Sequence, residues 1–289
     1  MFKVRKGSWP IAAMLLIAVV ITGCGGSGEG ESPSASASSS PAATESASPS
    51  QEPAGGETRT VEHAMGTTQI TGTPEKVVTL FQGATDAALA LGVKPVGAVE
   101  AWIEQPWYVY IRDKMDGVVN LGSENQPNLE EIVALKPDLI IGSKTRHEEI
   151  YEQLSAIAPT VMTEEVHFWK DSLALTAEAA NKKDEEAKFL ADWADKVGEF
   201  KEKMGDKLNL EVGIVDFRAD HARIVYTGFS ALVLDELGIA RPTDQQGEDW
   251  GVKLASKENI PQMDADILFD QTSLSRDDGR LDLRKEWTE

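Results

Sequence analysis

The fold class is decided by the stretch NLEEIVALKPDLII at residues 128–141. Asn128 is a residue type that caps helix N-termini, and Glu130 and Glu131 suit a first helical turn because their charge opposes the partial positive charge there. The apolar residues that follow predict a helix over 129–135 and a strand over 138–143. A helix followed at once by a strand is the repeating unit of an α/β fold.

The rest of the chain continues this alternation of short strands and amphipathic helices. In the first half we predict further strands over 76–81, 95–99 and 160–163 and helices over 84–91 and 148–157. In the second half we predict strands over 210–217, 224–226 and 265–269 and a helix over 230–237. The alternation indicates mainly parallel strands, divided between two separate sheets.

A long helical region, residues 169–204, separates the two halves, and Asn181 is its one weak point. Within residues 183–204 the apolar side chains recur at helical spacing: Ala187, Leu190, Ala194, Val197 and Phe200. Those residues form a rod of about 33 Å. The rod is long enough to bridge two lobes, and the alternative is a helix packed on one lobe.

The first 23 residues predict a signal peptide, with a basic start followed by an apolar run that is too short to span a bilayer stably. Cys24 follows Ile21-Thr22-Gly23, which resembles the lipobox of bacterial lipoproteins, where the cysteine carries the lipid anchor. Cys24 is the only cysteine, so no intramolecular disulfide forms. Residues 24–57 are otherwise almost entirely small or polar, which predicts a disordered tether spanning about 30 Å.

Three segments carry a family resemblance: PEKVVTL at 74–80 with LGVKPVG at 91–97, the stretch at 128–141, and FRADH at 217–221 with LGIARP at 237–242. Together they resemble the siderophore-binding members of the helical-backbone solute-binding family, which are relatives of the vitamin B12, haem and ferric hydroxamate binders. The resemblance covers essentially everything from residue 58 onward. It implies a class III binding protein, with two Rossmann-like α/β lobes joined by a single long helix and the ligand in the cleft between them.

The resemblance divides the chain into a lobe over 58–166, a helical segment with the interlobe helix over 167–206, and a lobe over 207–289. Family members usually continue further, so we expect the second lobe to be incomplete. The implied function is capture of a ferric siderophore for the permease of an ABC importer. We expect a monomer, anchored at Cys24 on the extracellular face of the cell membrane. The siderophore's own oxygens wrap the iron, so we expect no protein ligands to the metal and no cofactor.

Ligands of open α/β sheets bind beyond the carboxyl ends of strands. In the first half this rule selects Trp102, Trp107 and Tyr108 after one strand and Arg146 after another. Aromatic faces suit a broad chelate, and a guanidinium suits carboxylate or hydroxamate oxygens. The alternatives are that the aromatic side chains fill the core of the lobe and that Arg146 is a solvated surface residue.

The same rule selects four contacts in the second half, with two more behind them: Arg218, His221, Trp250 and Arg276, then Tyr226 and Arg280. Ion pairs with neighbouring aspartates are the alternative for each cation. The net charge of −20 argues against nucleic acid as a partner. A site for an anion therefore requires a locally basic surface on this otherwise acidic protein. Several cations in one cleft indicate an anionic chelate of the carboxylate or mixed hydroxamate type.

The family docks on its permease through one acidic residue near the tip of each lobe. The resemblance selects Glu130 or Glu131 in the first lobe and, with weaker support, Asp235 or Glu236 in the second. The alternative is that these carboxylates are ordinary solvated helix residues.

Other functions have less support in the sequence. The phosphate-loop, nucleophile-elbow and His-Glu-x-x-His motifs of enzymes do not occur, so we expect no enzymatic activity, although a hydrolase with an unmatched motif stays open. A direct transition-metal site needs several imidazoles, and the four histidines fall in segments that we expect on different surfaces. A haem or corrinoid ligand is the main alternative to a siderophore.

Overall fold

The computed structural model describes residues 56–274 and 278–289. In chain order its strands are β1 (Thr58–His63), β2 (Gly66–Thr71), β3 (Val77–Thr79), β4 (Gly97–Ala98), β5 (Val119–Asn120), β6 (Gly122–Ser123), β7 (Gln126–Pro127), β8 (Leu139–Ser143), β9 (Thr160–Thr163), β10 (Val212–Phe217), β11 (Ala222–Val225), β12 (Gly251–Leu254) and β13 (Ile267–Asp270). Its α-helices are α1 (Gln82–Ala90), α2 (Leu129–Leu135), α3 (Lys144–His147), α4 (Tyr151–Ile157), α5 (Trp169–Ala179), α6 (Lys183–Met204), α7 (Phe229–Glu236) and α8 (Arg280–Thr288). In these ranges, no helix combines the length and apolar character that a membrane span requires.

The first lobe is built on a parallel sheet in the order β5-β4-β3-β8-β9. Neighbouring residues along its central strands enter opposite layers of the core: Val77 and Leu139 lie in one layer, and Val78 and Ile140 lie in the other. Both faces are therefore buried, as parallel sheets require, and helices cover them. The α/β class predicted from the sequence is confirmed in this lobe.

A β1–β2 hairpin, which the sequence patterns did not predict, packs against β9 and α5. The hairpin alternates exposed polar residues with the buried Val61 and Ile70. It closes one side of the first lobe.

The chain leaves the first lobe through α5 and α6. Asn181, the predicted weak point, adopts a left-handed conformation with φ of 59° and separates the two helices. Near its start α6 packs Phe189 and Leu190 against the first lobe, and near its end Lys201 lies against Gly238 of the second. The helix therefore contacts both lobes.

The second lobe contains a mixed sheet in the order β12-β11-β10-β13. β10 pairs in parallel with β13, but β11 runs antiparallel to both of its neighbours. The prediction of mainly parallel strands is therefore wrong for this lobe, because a tight turn joins β10 directly to β11 where a crossover helix would be needed for a parallel pair. α7 covers one face of the sheet, and α8 covers the other through Leu283 and Trp287.

Candidate ligand-binding site

Four loops of the first lobe meet at one edge of its parallel sheet. Residues 81–83 follow β3, Trp102 and Tyr108 follow β4, Arg146 lies in the helix after β8, and Val166 and His167 follow β9. The carboxyl ends of parallel strands lie on the same edge, so these segments converge there. They form the first wall of a cleft between the lobes, with a volume of about 430 Å³.

The second wall of this interlobe cleft consists of Val225 and residues 227–230, with Trp250 and Gln271. Residues 225–230 include the turn after β11 and the start of α7, and Trp250 is held beside them by a hydrogen bond from the Tyr226 backbone N–H to its carbonyl, 3.1 Å. Ser230 donates its hydroxyl to Gln271 at 2.8 Å. Both lobes therefore contribute aromatic and polar side chains to the cleft.

A buried carboxylate holds the cationic side chain of the cleft. Glu124 is 5% exposed, and its Oε1 accepts a hydrogen bond from Nε of Arg146 at 3.0 Å. Its Oε2 accepts from the indole of Trp102 at 3.3 Å and from the backbone N–H of Gln82 at 3.4 Å. Charge-assisted hydrogen bonds of this kind restrict the rotamers of both partners. Glu124 thus positions two side chains that we predicted from the sequence, and it offsets the charge of one of them.

His147 fixes the loop that carries Glu124. Its Nδ1 accepts from the backbone N–H of Ser143 at 3.1 Å, so the proton lies on Nε2, which donates to the carbonyl of Glu124 at 2.9 Å. Burial lowers the pKa of His147 below its ordinary value, although its two backbone hydrogen bonds act in the opposite direction. The imidazole is therefore a neutral structural group.

The aromatic side chains of the cleft come from both lobes. Trp102 is 43% exposed and Trp250 is 52% exposed, which leaves large ring areas available to a ligand. The His167 ring lies 4.8 Å from the Trp250 ring, so the two lobes touch at this point. Burial raises the pKa of the Tyr108 hydroxyl, which keeps it protonated as a hydrogen-bond donor.

Four of the ten ligand contacts predicted from the sequence line this cleft: Trp102, Tyr108, Arg146 and Trp250. Trp107 is 8% exposed and packs with Ala98, Ile111 and Met115, so the structure places it in the core of the lobe, as the alternative interpretation had it.

The remaining predicted contacts do not line the cleft where the structure describes them. Arg218 pairs with Asp216 at 2.6 Å, and His221 pairs with Asp220 at 2.7 Å, both near the β10–β11 turn. The reason is the antiparallel pairing: the end of β10 and the end of β11 lie at opposite edges of the sheet, and the cleft uses the end of β11.

Three more predicted contacts complete this comparison. Tyr226 packs against the core of the second lobe, and Arg280 is buried in an ion pair with Asp278 at 2.6 Å. Arg276 lies outside the described residues, as does the proposed lipidation site Cys24. The prediction that Arg276 and Arg280 contact a ligand is untested.

Sequence reasoning missed most of the other residues that line the cleft: Gln82, Gly83, Glu124, Val166, His167, Thr227, Gly228, Phe229, Ser230 and Gln271. Several of them follow a strand, so the carboxyl-end rule would have found them.

The residues predicted to dock on a permease lie on two helices. Glu130 and Glu131 are exposed in the first turn of α2, whose N-cap Asn128 accepts hydrogen bonds from both of their backbone N–H groups. Asp235 is exposed on α7. Glu236 is instead bonded to the helical region between the halves: its Oε2 accepts from Lys170 of α5 and from Trp193 of α6, both at 2.7 Å.

Comparison with known proteins identifies several similar chains. Residues 77–287 match the family model described as periplasmic binding protein. A probable siderophore-binding lipoprotein of Bacillus subtilis, YfiY, is 48% identical over 236 residues, which cover 78% of this chain and 72% of that protein. The achromobactin-binding periplasmic protein of Dickeya dadantii is 40% identical over 202 residues, covering 68% and 66%. The crystal structure of Staphylococcus aureus SirA with staphyloferrin B superposes with a TM-score of 0.74 at 44% identity, covering 80% of this chain and 83% of that one.

Proposed function

This chain belongs to the periplasmic binding protein family, and from that premise we propose that it captures a ferric siderophore in its interlobe cleft for an ABC importer. The activity is binding and release, without chemical conversion of the ligand. The names of the similar proteins support this ligand class: YfiY is a probable siderophore-binding lipoprotein, and SirA was crystallised with staphyloferrin B.

One structural observation carries the proposal. Tryptophans from both lobes, Trp102 and Trp250, line the same cleft as a guanidinium, Arg146, that a buried carboxylate holds in place. Aromatic faces provide contact area for a broad chelate at little cost in side-chain entropy, and a fixed guanidinium binds anionic oxygens. A cleft with these groups on two walls suits a ligand that both lobes hold at once.

We infer the class of siderophore from the charged side chains of the cleft. The bond to Glu124 uses Nε of Arg146, which leaves the terminal nitrogens for ligand oxygens. These donors favour a carboxylate or hydroxamate chelate, in which the siderophore supplies every iron ligand. Glu124 balances the positive charge of Arg146. The shape of the cleft and its aromatic contacts therefore contribute to selectivity among chelates, in addition to charge.

Delivery completes the proposed function. A lipid anchor at Cys24 holds the protein at the extracellular face of the membrane. Exposed carboxylates, Glu130 or Glu131 on one lobe and Asp235 on the other, meet cationic residues of the permease. The protein acts as a monomer.

Fluorescence titration tests the proposal, because ferric chelates quench nearby tryptophans. Ferric citrate and a ferric hydroxamate are added to the full-length protein at micromolar concentration, with the iron-free chelators as controls. We expect saturable quenching by at least one ferric complex. The proposal is wrong if no ferric complex quenches the fluorescence, and a change in the visible absorbance of added haem or corrinoid would then identify that ligand class instead.

A further inference from the structure

A second cavity adjoins the interlobe cleft. It has a volume of about 370 Å³ and lies between the two halves of the chain. Trp169, Phe189 and Trp193 of α5 and α6 form one side, and Phe229 and Val233 of α7 form the other. We call this cavity the side chamber.

The side chamber and the cleft share part of their lining. Gly83, Val166, His167 and Phe229 line both cavities. A ligand in the cleft therefore lies next to the side chamber.

The lining of the side chamber is almost entirely apolar. Its only described acidic residue is Asp86, whose two oxygens already accept from the Tyr110 hydroxyl at 2.9 Å and 2.8 Å. Burial raises the pKa of Asp86, although the hydrogen bond from Tyr110 and the charge of Lys114 act against this rise. The chamber thus offers little to a charged group, while an apolar group would displace water from aromatic surface.

One unused polar group lies where the two cavities meet. The His167 side chain is 10% exposed, and its buried Nδ1 has no hydrogen-bond partner among the described residues; the nearest carboxylate, of Glu165, is 3.9 Å away. Because Nδ1 has almost no accessible surface, a ligand atom reaches it only if the ring turns toward the junction, and such a bond would offset the cost of the unpaired buried atom.

We propose that the side chamber is a subsite that receives an uncharged aromatic or hydrocarbon arm of the chelate held in the cleft. His167 bonds to the polar atom that links this arm to the iron-binding part. The inference rests on the proposed function, since the arm enters from a chelate in the cleft. The subsite predicts that the chelate carries an apolar arm, which Arg146 and the tryptophans of the cleft do not by themselves require.

Two ferric chelates that differ only in this feature test the subsite. Ferric acetohydroxamate carries methyl groups, and ferric benzohydroxamate carries phenyl rings on the same iron-binding group. Isothermal titration calorimetry on the full-length protein should show benzohydroxamate binding about tenfold more tightly, because one ring leaves water. Val233→Phe should remove this advantage and leave acetohydroxamate binding unchanged. Val133→Phe, on exposed α2, is the matched control and should keep the advantage.

A second variant protects the test against misfolding. Ala90→Phe fills the side chamber from α1, with Ala187→Phe on the exposed face of α6 as its control. Equal affinity of the wild type for the two chelates overturns the subsite alone, because both still bind the cleft. Binding of neither complex, nor of ferric citrate, contradicts the proposed function instead. If free 1-naphthol binds in the chamber without altering the affinity for ferric benzohydroxamate, the chamber takes separate apolar molecules and the subsite is overturned.

Discussion

Nε of Arg146 donates to Oε1 of Glu124 across 3.0 Å, although Glu124 is almost wholly buried and Arg146 is one-third exposed. The pair therefore connects the interior of the first lobe to the wall of the cleft. The exposed end of the arginine lies at the cleft in a restricted orientation, because its inner nitrogen is held.

Replacing Arg146 should weaken ligand binding more than replacing the nearby Lys144. We expect Arg146→Ala to lower affinity for a ferric chelate by about ten- to a hundredfold, since hydrogen bonds to charged groups contribute about 1.5–3 kcal/mol. Fluorescence titration measures the change. Lys144→Ala is the control, because Lys144 pairs with Glu164 and does not line the cleft. Equal losses in both variants would show that general charge, and not the positioned guanidinium, binds the ligand.

The same substitution should also destabilise the fold. Arg146→Ala leaves the Glu124 carboxylate buried without its cationic partner, which should lower the free energy of unfolding by about 1–3 kcal/mol. Adding Glu124→Gln should restore part of this loss, since a neutral amide is less costly to bury. Urea unfolding measures both variants, and no recovery in the double variant would contradict the pairing.

Quenching by the ligand should come mainly from two tryptophans. Trp102→Phe and Trp250→Phe remove the indoles that line the cleft, so together they should reduce the quenching amplitude by more than half. Trp287 packs against Phe217 in the second lobe and does not line the cleft, and Trp287→Phe is the matched control. If Trp287→Phe reduces the amplitude as strongly as the double variant, the ligand does not bind between Trp102 and Trp250.

Much of the first lobe could be predicted because its signals are local. The helix at Leu129–Leu135 has its cap and first-turn acids within the same few residues, and its predicted bounds agree with the structure. The strands after it are continuous apolar runs, which parallel sheets with two buried faces require. The β1–β2 hairpin was missed because its exposed positions are polar and only Val61 and Ile70 are buried.

The second wall of the cleft could not be predicted from the rule that ligands bind beyond the carboxyl ends of strands. That rule assumes that strands run in parallel, but whether β10 and β11 are parallel depends on long-range pairing that no local pattern around Arg218 reports. Likewise, the pairing of Glu124 with Arg146 joins residues from different loops, which only the folded lobe brings together.

Acid should destabilise the first lobe through His147. The pKa of His147 is lowered in the folded state, so protonation favours the unfolded chain. The stability due to neutral His147 is fully present above about pH 6.5 and is lost as the pH falls toward the lower pKa of the folded state. His147→Gln should therefore flatten the dependence of the unfolding free energy on pH between 7 and 5. A variant that keeps the slope of the wild type would place the titrating group elsewhere.

Docking on the permease should be separable from ligand binding. The double variant Glu130→Ala/Glu131→Ala should keep its affinity for a ferric chelate within about twofold, because both residues lie outside the cleft. Uptake of radioactive iron by cells that carry the variant should fall several-fold if these carboxylates meet the permease. Glu202→Ala, an exposed acid on α6, is the control. Unchanged uptake removes Glu130 and Glu131 from the interface.

Glu236 should control how firmly the lobes are held together. Its partial burial would raise its pKa, but the hydrogen bonds from Lys170 and Trp193 outweigh this effect and hold the pKa below its ordinary value. The contact therefore persists above about pH 4.5 and is lost as the pH falls through the lower pKa of the folded state. Because Glu236 lies on α7 and its partners lie on α5 and α6, Glu236→Ala should speed hydrogen exchange at the C-terminal end of α7. Asp235→Ala, one residue away and exposed, is the control, and equal exchange in the two variants would show that the bonds to Lys170 and Trp193 do not restrain the lobes.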